Sequence, residues 1–226
     1  MVSEIEEALK EILPFLKWHS PFEYKNQVLD HLLGMTGTSD GVSQLSKHLE
    51  VNKALMQLVL EDRSRDIKES GLKILVNLTT MSLSKPILTE LTKKENIDAL
   101  LTMTLDKTFV AANYSAMLLS NLTKESDHCQ LAFTLMNQNN NFSMKAMLDA
   151  FCDLKYNENC VLHHIGSLVA NLTLLKEARL MLLDKEGDII QRLLPFTQFE
   201  QSTVRRHAVA AIIKNCLFET GLYSFF

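Results

Sequence analysis

Glycine and proline are scarce in this chain, with 7 and 4 among 226 residues. The glycines are scattered, so no Gly-rich loop exists to cradle a phosphate group. Long apolar runs are missing as well. No uncharged stretch approaches the ~18 residues of a membrane helix, and the start, MVSEIEEALKEILPFLKW, carries acids where a secretory leader needs a basic end and an unbroken apolar core. Four cysteines (Cys129, Cys152, Cys160, Cys216) show no disulfide-framework spacing, which points to a reducing compartment, cytoplasmic or cytoplasmic and nuclear. Net charge is only −4, too little of either sign for a general pull toward nucleic acid or acidic lipid. Val/Ile/Thr alternation of the strand kind is also absent over any useful length.

What is present is a repeat. SGLKILVNLT (70–79), YSAMLLSNLT (114–123), HIGSLVANLT (164–173) and AVAAIIKNCL (208–217) share paired apolar residues, a spacer, then Asn and another apolar residue. The asparagines are 77, 121, 171 and 215, in steps of 44, 50 and 44. Stepping back 43 residues from Asn77 reaches Gly34 in LDHLLGMTG, a degenerate copy. A period in the forties with helical internal spacing is the mark of a helical solenoid. The Asn-x-Thr triplets at three repeat ends match a glycosylation acceptor only by coincidence, given the start of the chain.

The spacing predicts helices at 4–18 and 25–35, with HSPFEY as a turn stopped by Pro21 and GTSDG (37–41) as the next turn. It then predicts 43–50, 53–61 and the motif helix 66–79. Pro86 opens a short helix, Asn96 caps 97–105, and Thr108 starts the motif helix to Leu122. Asn137 to Asn141, five amides in a row, reads as a loop that absorbs the 50-residue step. Beyond it come a short helix from Lys176 to Asp184, a break at Gly187, then 188–196 and 203–218. The units are about 1–37, 38–80, 81–124, 125–174 and 175–220. Residues 221–226 are a tail with three aromatics and no polar cap, so the expectation is a chain that stops short of its natural end.

With Asn as position zero and about 100° per residue, positions −3, −2 and +1 form the buried face. The Asn then lies at the boundary, with −4 and −8 on the same ridge. That ridge is Glu69, Lys73 and Asn77; Asn113, Met117 and Asn121; His163, Ser167 and Asn171; His207, Ala211 and Asn215. A row of amides, each with donor and acceptor, suits the backbone of an extended peptide, or each Asn braces its own repeat. Arg205, Arg206 and His207, with Lys214, are the basic concentration near the ridge: a solvated helix start, or an anchor for an acidic partner segment through bidentate arginine. Cys152, Cys160, His163 and His164 have no zinc-like spacing, and the two histidines lie about 100° apart on a helix. No metal, cofactor or catalytic group is expected. Met136, Met144 and Met147 read as adaptable core.

Helical units ending in Leu-x-Asn-Leu-Thr resemble armadillo repeats, in which the third helix lines a concave groove. The resemblance sharpens in YNENCVLHHIGSLVANLT (156–173) and LLDKEGDIIQRLLPFTQFEQSTVRRHAVAAIIKNCLFET (182–220), above all in QRLLPFTQ, VRR and Asn-Cys with Phe218. There the chain is similar to the Hgh-one homologue family, also called brain-protein-sixteen-like. The resemblance implies an all-α, right-handed armadillo/HEAT-like solenoid of about five repeats, a monomer that binds proteins. It implies a cytosolic adaptor that helps translation elongation factor two to fold, linking it to chaperones of the chaperonin and Hsp90 type; a scaffold for another client is the alternative. The family places small residues after the VRR arginines and continues further, whereas here His207-Ala208 follow. Import receptors place Trp at −4, where this chain has Lys73, Met117, Ser167 and Ala211, which argues against nuclear-signal cargo.

Overall fold

The structure, a computed structural model, describes residues 4–80, 85–138, 142–183 and 188–219, and these are helical without a strand. The helices form two compact units, Met1–Ala99 and Leu100–Phe226. The division falls within α7 (Lys94–Thr104).

In the first unit α1 (Glu4–Ile12) runs into a 3-10 turn at Leu13–Phe15. The expected helix to Trp18 is cut short because Pro14 lacks the N–H that a helix interior needs. After Pro21, α2 (Phe22–Met35) begins three residues earlier than expected. It carries Lys25 into the interior, where the ammonium ion-pairs with Asp62 and donates to the Trp18 carbonyl at 2.9 Å. Thr38 caps α3 (Ser39–Leu45) by accepting from the Gly41 N–H at 3.1 Å, so the expected 37–41 turn shrinks to Gly37-Thr38. The two helices expected at 43–50 and 53–61 are instead α3 and a continuous α4 (Leu49–Glu61). Ser64 caps the motif helix α5 (Arg65–Leu78), and α6 (Lys85–Leu91) has Pro86 in its first turn, as expected.

Asn96 does not cap a helix. It lies inside α7 and donates to the Glu90 and Leu91 carbonyls at 2.9 and 3.4 Å, closing the end of α6. Asn52 does the same in the preceding repeat, donating to Leu45 and His48 carbonyls at 3.1 and 2.8 Å. An unpaired carbonyl at a helix end is costly when buried, and these two amides remove that cost.

In the second unit α8 (Ala112–Leu122), α11 (Ile165–Leu172) and α14 (Thr203–Cys216) are the motif helices, and α11 packs against both others. Between them lie α9 (Ser126–Gln138), α10 (Met144–Cys152), α12 (Lys176–Leu182) and α13 (Ile189–Leu193). Thr108 precedes α8 in a turn closed by the Asp106 carboxylate. Asn137 and Gln138 are helical rather than loop; 139–141 lie outside the described residues, as do Asp184, Gly187 and the 221–226 tail. Within the longer step, the connection between α10 and α11 spans 153–164, against 105–111 between α7 and α8. Pro195 turns the expected 188–196 helix into α13 followed by a 3-10 turn, Leu194–Gln198.

The predicted buried face holds at −3, −2 and +1. Ile74, Leu75, Leu78, Leu118, Leu119, Leu122, Leu168, Val169, Leu172, Ile212 and Cys216 are all core. Only Ile213 is half-buried. Each such leucine contributes about 1.5–3 kcal/mol. Met136, Met144 and Met147 are buried, as expected. Gly166 sits where α11 crosses α14: a Cβ there would meet the Phe151 ring at 2.8 Å and the Ala208 methyl at 2.9 Å.

Candidate protein-interaction face

The repeated Asn reaches backwards. Asn171 Nδ2 donates to the Ser120 carbonyl at 2.7 Å and to Thr123 Oγ1 at 3.1 Å. Asn215 Nδ2 donates to the Ala170 carbonyl at 3.3 Å and to Thr173 Oγ1 at 2.9 Å. Asn77 Nδ2 donates to Thr36 Oγ1 at 2.8 Å. In each case the acceptor hydroxyl lies two residues after the previous repeat's zero position, including Thr36 two after Gly34. The threonines in turn donate into their own helices: Thr123 to Leu119, Thr173 to Ala170 and Thr36 to Leu33, at 2.7–2.8 Å. The Asn-Leu-Thr signature is therefore a relay. Asn77, Asn171 and Asn215 each hold the repeat before them, through the oxygens of Thr36, Thr123 and Thr173. At about 1 kcal/mol net per bond, a two-bond junction contributes about 2 kcal/mol.

The expected ridge residues differ in exposure. Lys73 and Asn77 on α5 are half-buried, and Lys73 pairs with Glu69 at 2.7 Å. Asn113, Met117 and Asn121 on α8, and His163, Ser167 and Asn171 at α11, are likewise half-buried; His207 is exposed. The amide donors of Asn77, Asn171 and Asn215 face the neighbouring repeat. Asn215 is only 9% exposed. Asn113 also braces, its Oδ1 accepting from the His164 N–H at 3.1 Å.

Arg205 requires a correction. It is fully buried, at 0% exposure, so it cannot grip a partner's carboxylate. Its guanidinium donates to the Phe151 carbonyl at 2.5 Å, to Leu162 at 3.4 Å and to His163 Nδ1 at 3.1 Å. It stacks on Phe151, Phe196 and Phe199 with ring centroids 4.4, 5.3 and 5.8 Å away. Burial pulls its pKa down to about 10, so it stays charged at neutral pH, solvated by carbonyls and ring faces. Arg206 is half-buried and donates to the Phe199 and Glu200 carbonyls at 3.1 and 3.4 Å.

Burial and the neighbouring Arg205 charge lower the His163 pKa, and burial and His163 lower that of His164. Burial raises the Cys129 and Cys216 thiols to about 11, far from the range of a reactive thiolate. Among the described residues no group of three or more His, Cys, Asp or Glu is placed to hold a metal ion, and no helix is long and apolar enough to cross a membrane.

Sequence reading missed the 153–164 loop. Tyr156 donates through its hydroxyl to the Leu105 carbonyl at 3.1 Å, and Asn157 to Asp106 and Phe109 at 2.8 and 3.0 Å. The run YNEN, dense in side-chain donors, was the available signal.

A family model described as "Domain of unknown function (DUF383)" matches residues 103–223. Among curated relatives, the zebrafish (Danio rerio) Protein HGH1 homolog is 34% identical over 215 residues, covering 95% of this chain and 56% of its own length. The human (Homo sapiens) homolog is 30% identical over 219 residues, 95% of this chain and 54% of its own. This chain thus spans little more than half the length of these relatives. A computationally designed armadillo repeat protein for modular peptide recognition superposes with a TM-score of 0.68 at 13% identity, covering 91% of this chain and 80% of its own. Another designed armadillo repeat protein, in complex with the peptide (KR)4, gives 0.56 at 11%, covering 94% and 93%. The fold is an armadillo/HEAT-like helical solenoid, and the chain belongs to the HGH1 family.

Proposed function

We propose that this chain is a non-catalytic protein-interaction scaffold of the cytoplasm. In this reading it acts as an adaptor that assists folding of translation elongation factor two by linking it to chaperones of the chaperonin and Hsp90 type. The observation that carries the scaffold reading is the set α8, α11 and α14. These helices are locked in register by the Asn–Thr relay and leave one half-exposed stripe each. A pre-organised surface loses little entropy when a partner docks. The client assignment is supported by family membership and by the resemblance at 156–220.

Affinity purification from cytosol with mass spectrometry tests it. Recovery of elongation factor two together with chaperonin is expected. Replacing Ser167, half-exposed in the middle of the stripe, by Arg should abolish capture while leaving helicity intact. Recovery of unrelated proteins alone would favour the second reading, an armadillo scaffold for another client.

A further inference from the structure

The relay decides which hydrogen-bonding atoms the α8–α11–α14 stripes can offer a partner. Asn171 and Asn215 spend their amide donors on the preceding repeat. Two side chains at the other end of the stripes have the opposite polarity. Asn113, half-buried at the start of α8, spends its Oδ1 on the His164 N–H at 3.1 Å, which leaves its Nδ2 hydrogens. His163, half-buried just before α11, accepts from Arg205 Nε through Nδ1 at 3.1 Å. An arginine never accepts, so Nδ1 carries no proton. Burial and the Arg205 charge keep the ring neutral by lowering its pKa, and a neutral imidazole without a proton on Nδ1 carries it on Nε2.

Both donors are open. Among the described residues neither Asn113 Nδ2 nor His163 Nε2 has a protein acceptor. Neither is one of the buried side-chain atoms that lack a partner, which are Asn52 Oδ1, Ser115 Oγ and His128 Nδ1. They therefore reach solvent. The bond from the His164 N–H to Asn113 also sets the two side chains beside each other, where α8 meets the start of α11. Four residues further along each strand of the ridge stand Met117 and Ser167, both half-buried. Arg205 lies behind His163, closed to solvent, so it shapes the donor without touching a partner.

We infer that His163 and Asn113 form a donor pair that takes a main-chain carbonyl of an extended partner segment, with Arg205 as the positioning residue that fixes the His163 tautomer. The inference rests on the reading of the stripes as a binding face. Two adjacent donors with no acceptor of their own select an acceptor oxygen. A main-chain carbonyl supplies one without a charge, and main-chain bonds give affinity that tolerates changes of side chain. Met117 offers an adaptable apolar wall to the residue that carries the carbonyl. Without Arg205 nothing holds the proton on Nε2, and the ring loses its assigned polarity.

The test uses the full chain. With nitrogen-15 labelled histidine, long-range proton–nitrogen spectra at pH 7.5 should show His163 protonated on Nε2 and bare on Nδ1, and Arg205→Met should turn it into a mixture of tautomers. Binding is read by fluorescence anisotropy with fluorescein-labelled 12-residue probes on one Val/Thr/Leu framework. One is uncharged, a set replaces each central amide in turn by an ester, whose carbonyl is the weaker acceptor, and one carries Asp and Glu. The uncharged probe should bind, and an ester at one position should weaken it about fivefold. Asn113→Asp keeps the oxygen that braces His164 but turns the outward donors into an acceptor, and should lose about tenfold, as should His163→Phe. His163→Gln, which restores an outward N–H, should bind within about twofold of the parent. A His163 ring protonated on Nδ1, parent-like binding by Asn113→Asp and His163→Phe, or binding by the Asp/Glu probe alone would overturn the inference, the last by making a carboxylate the occupant. If Ser167→Arg abolishes capture of cytosolic partners while Asn113→Asp changes nothing, the binding face stands and only this donor pair falls. If Ser167→Arg changes nothing, the binding face itself is refuted.

Discussion

Adjacent arginines on α14 should behave in opposite ways when removed. Arg205 holds two buried carbonyls, Phe151 and Leu162, and one imidazole nitrogen, and it packs on three phenylalanine rings. Truncating it to Ala orphans the carbonyls, at about 1–3 kcal/mol each, with the 3.4 Å contact at the low end. It also leaves a cavity among Phe151, Phe196 and Phe199, for which large-to-small changes cost about 2 kcal/mol or more. Losing the guanidinium's own burial penalty offsets part of this. The net for Arg205→Ala is about 3–5 kcal/mol of destabilisation, or a fall in Tm of roughly 6–20 °C for a chain of this size. Arg205→Met fills the cavity, sheds the charge and should cost only about 1–2 kcal/mol. Arg206→Ala, which removes two carbonyl contacts at a half-open site, should cost under about 1 kcal/mol. Urea unfolding followed by circular dichroism measures all three. An Arg205→Ala midpoint indistinguishable from that of the parent protein would refute the assignment of Arg205 as an internal tie.

Acid should loosen the same junction. His163 accepts from Arg205 only while Nδ1 is unprotonated, and its folded pKa lies below the ordinary 6.5. The unfolded chain therefore takes up the proton first, and stability present above pH 6.5 is lost as pH falls below it; Arg205→Met, which removes the Arg205 charge but leaves the larger effect of burial, should lessen that dependence without abolishing it in urea midpoints taken from pH 7.5 to 5.5. In the first unit, Lys25→Met strands the buried Asp62 carboxylate and should cost about 3–5 kcal/mol, while the Lys25→Met/Asp62→Leu double variant should recover much of it. An additive double variant would contradict that pairing. Gly166→Ala presses a methyl against Phe151 and Ala208 and should cost about 1–3 kcal/mol by overpacking, read as a lower Tm with unchanged far-ultraviolet spectrum.

The motif helices were readable from the sequence because their apolar spacing is helical and recurs; even the degenerate copy at Gly34 proved real, since Asn77 reaches Thr36 two residues beyond it. Helix ends were less readable. Pro14 and Pro195 cut helices that periodicity alone extends, and Asn96 lies inside a helix because its amide serves the helix before. The direction of the Asn side chains was not readable at all. Position on a wheel places a residue at a boundary but does not say which neighbour takes its hydrogen bond. Arg205 did carry a signal: it stands seven and eleven residues before Ile212 and Cys216, on their buried side of α14. Its charge concealed this, because the rings and carbonyls that accommodate it come from 151, 162, 196 and 199.

The relay between successive repeats is tested most directly by a double-mutant cycle on Asn171→Ala and Thr123→Val. Asn171→Ala alone should cost about 2 kcal/mol, and the pair should show a coupling of about 1 kcal/mol for the bond between them. Strict additivity of the two changes, with Asn171→Ala leaving the unfolding midpoint where it was, would mean that the asparagine does not tie its repeat to the one before it.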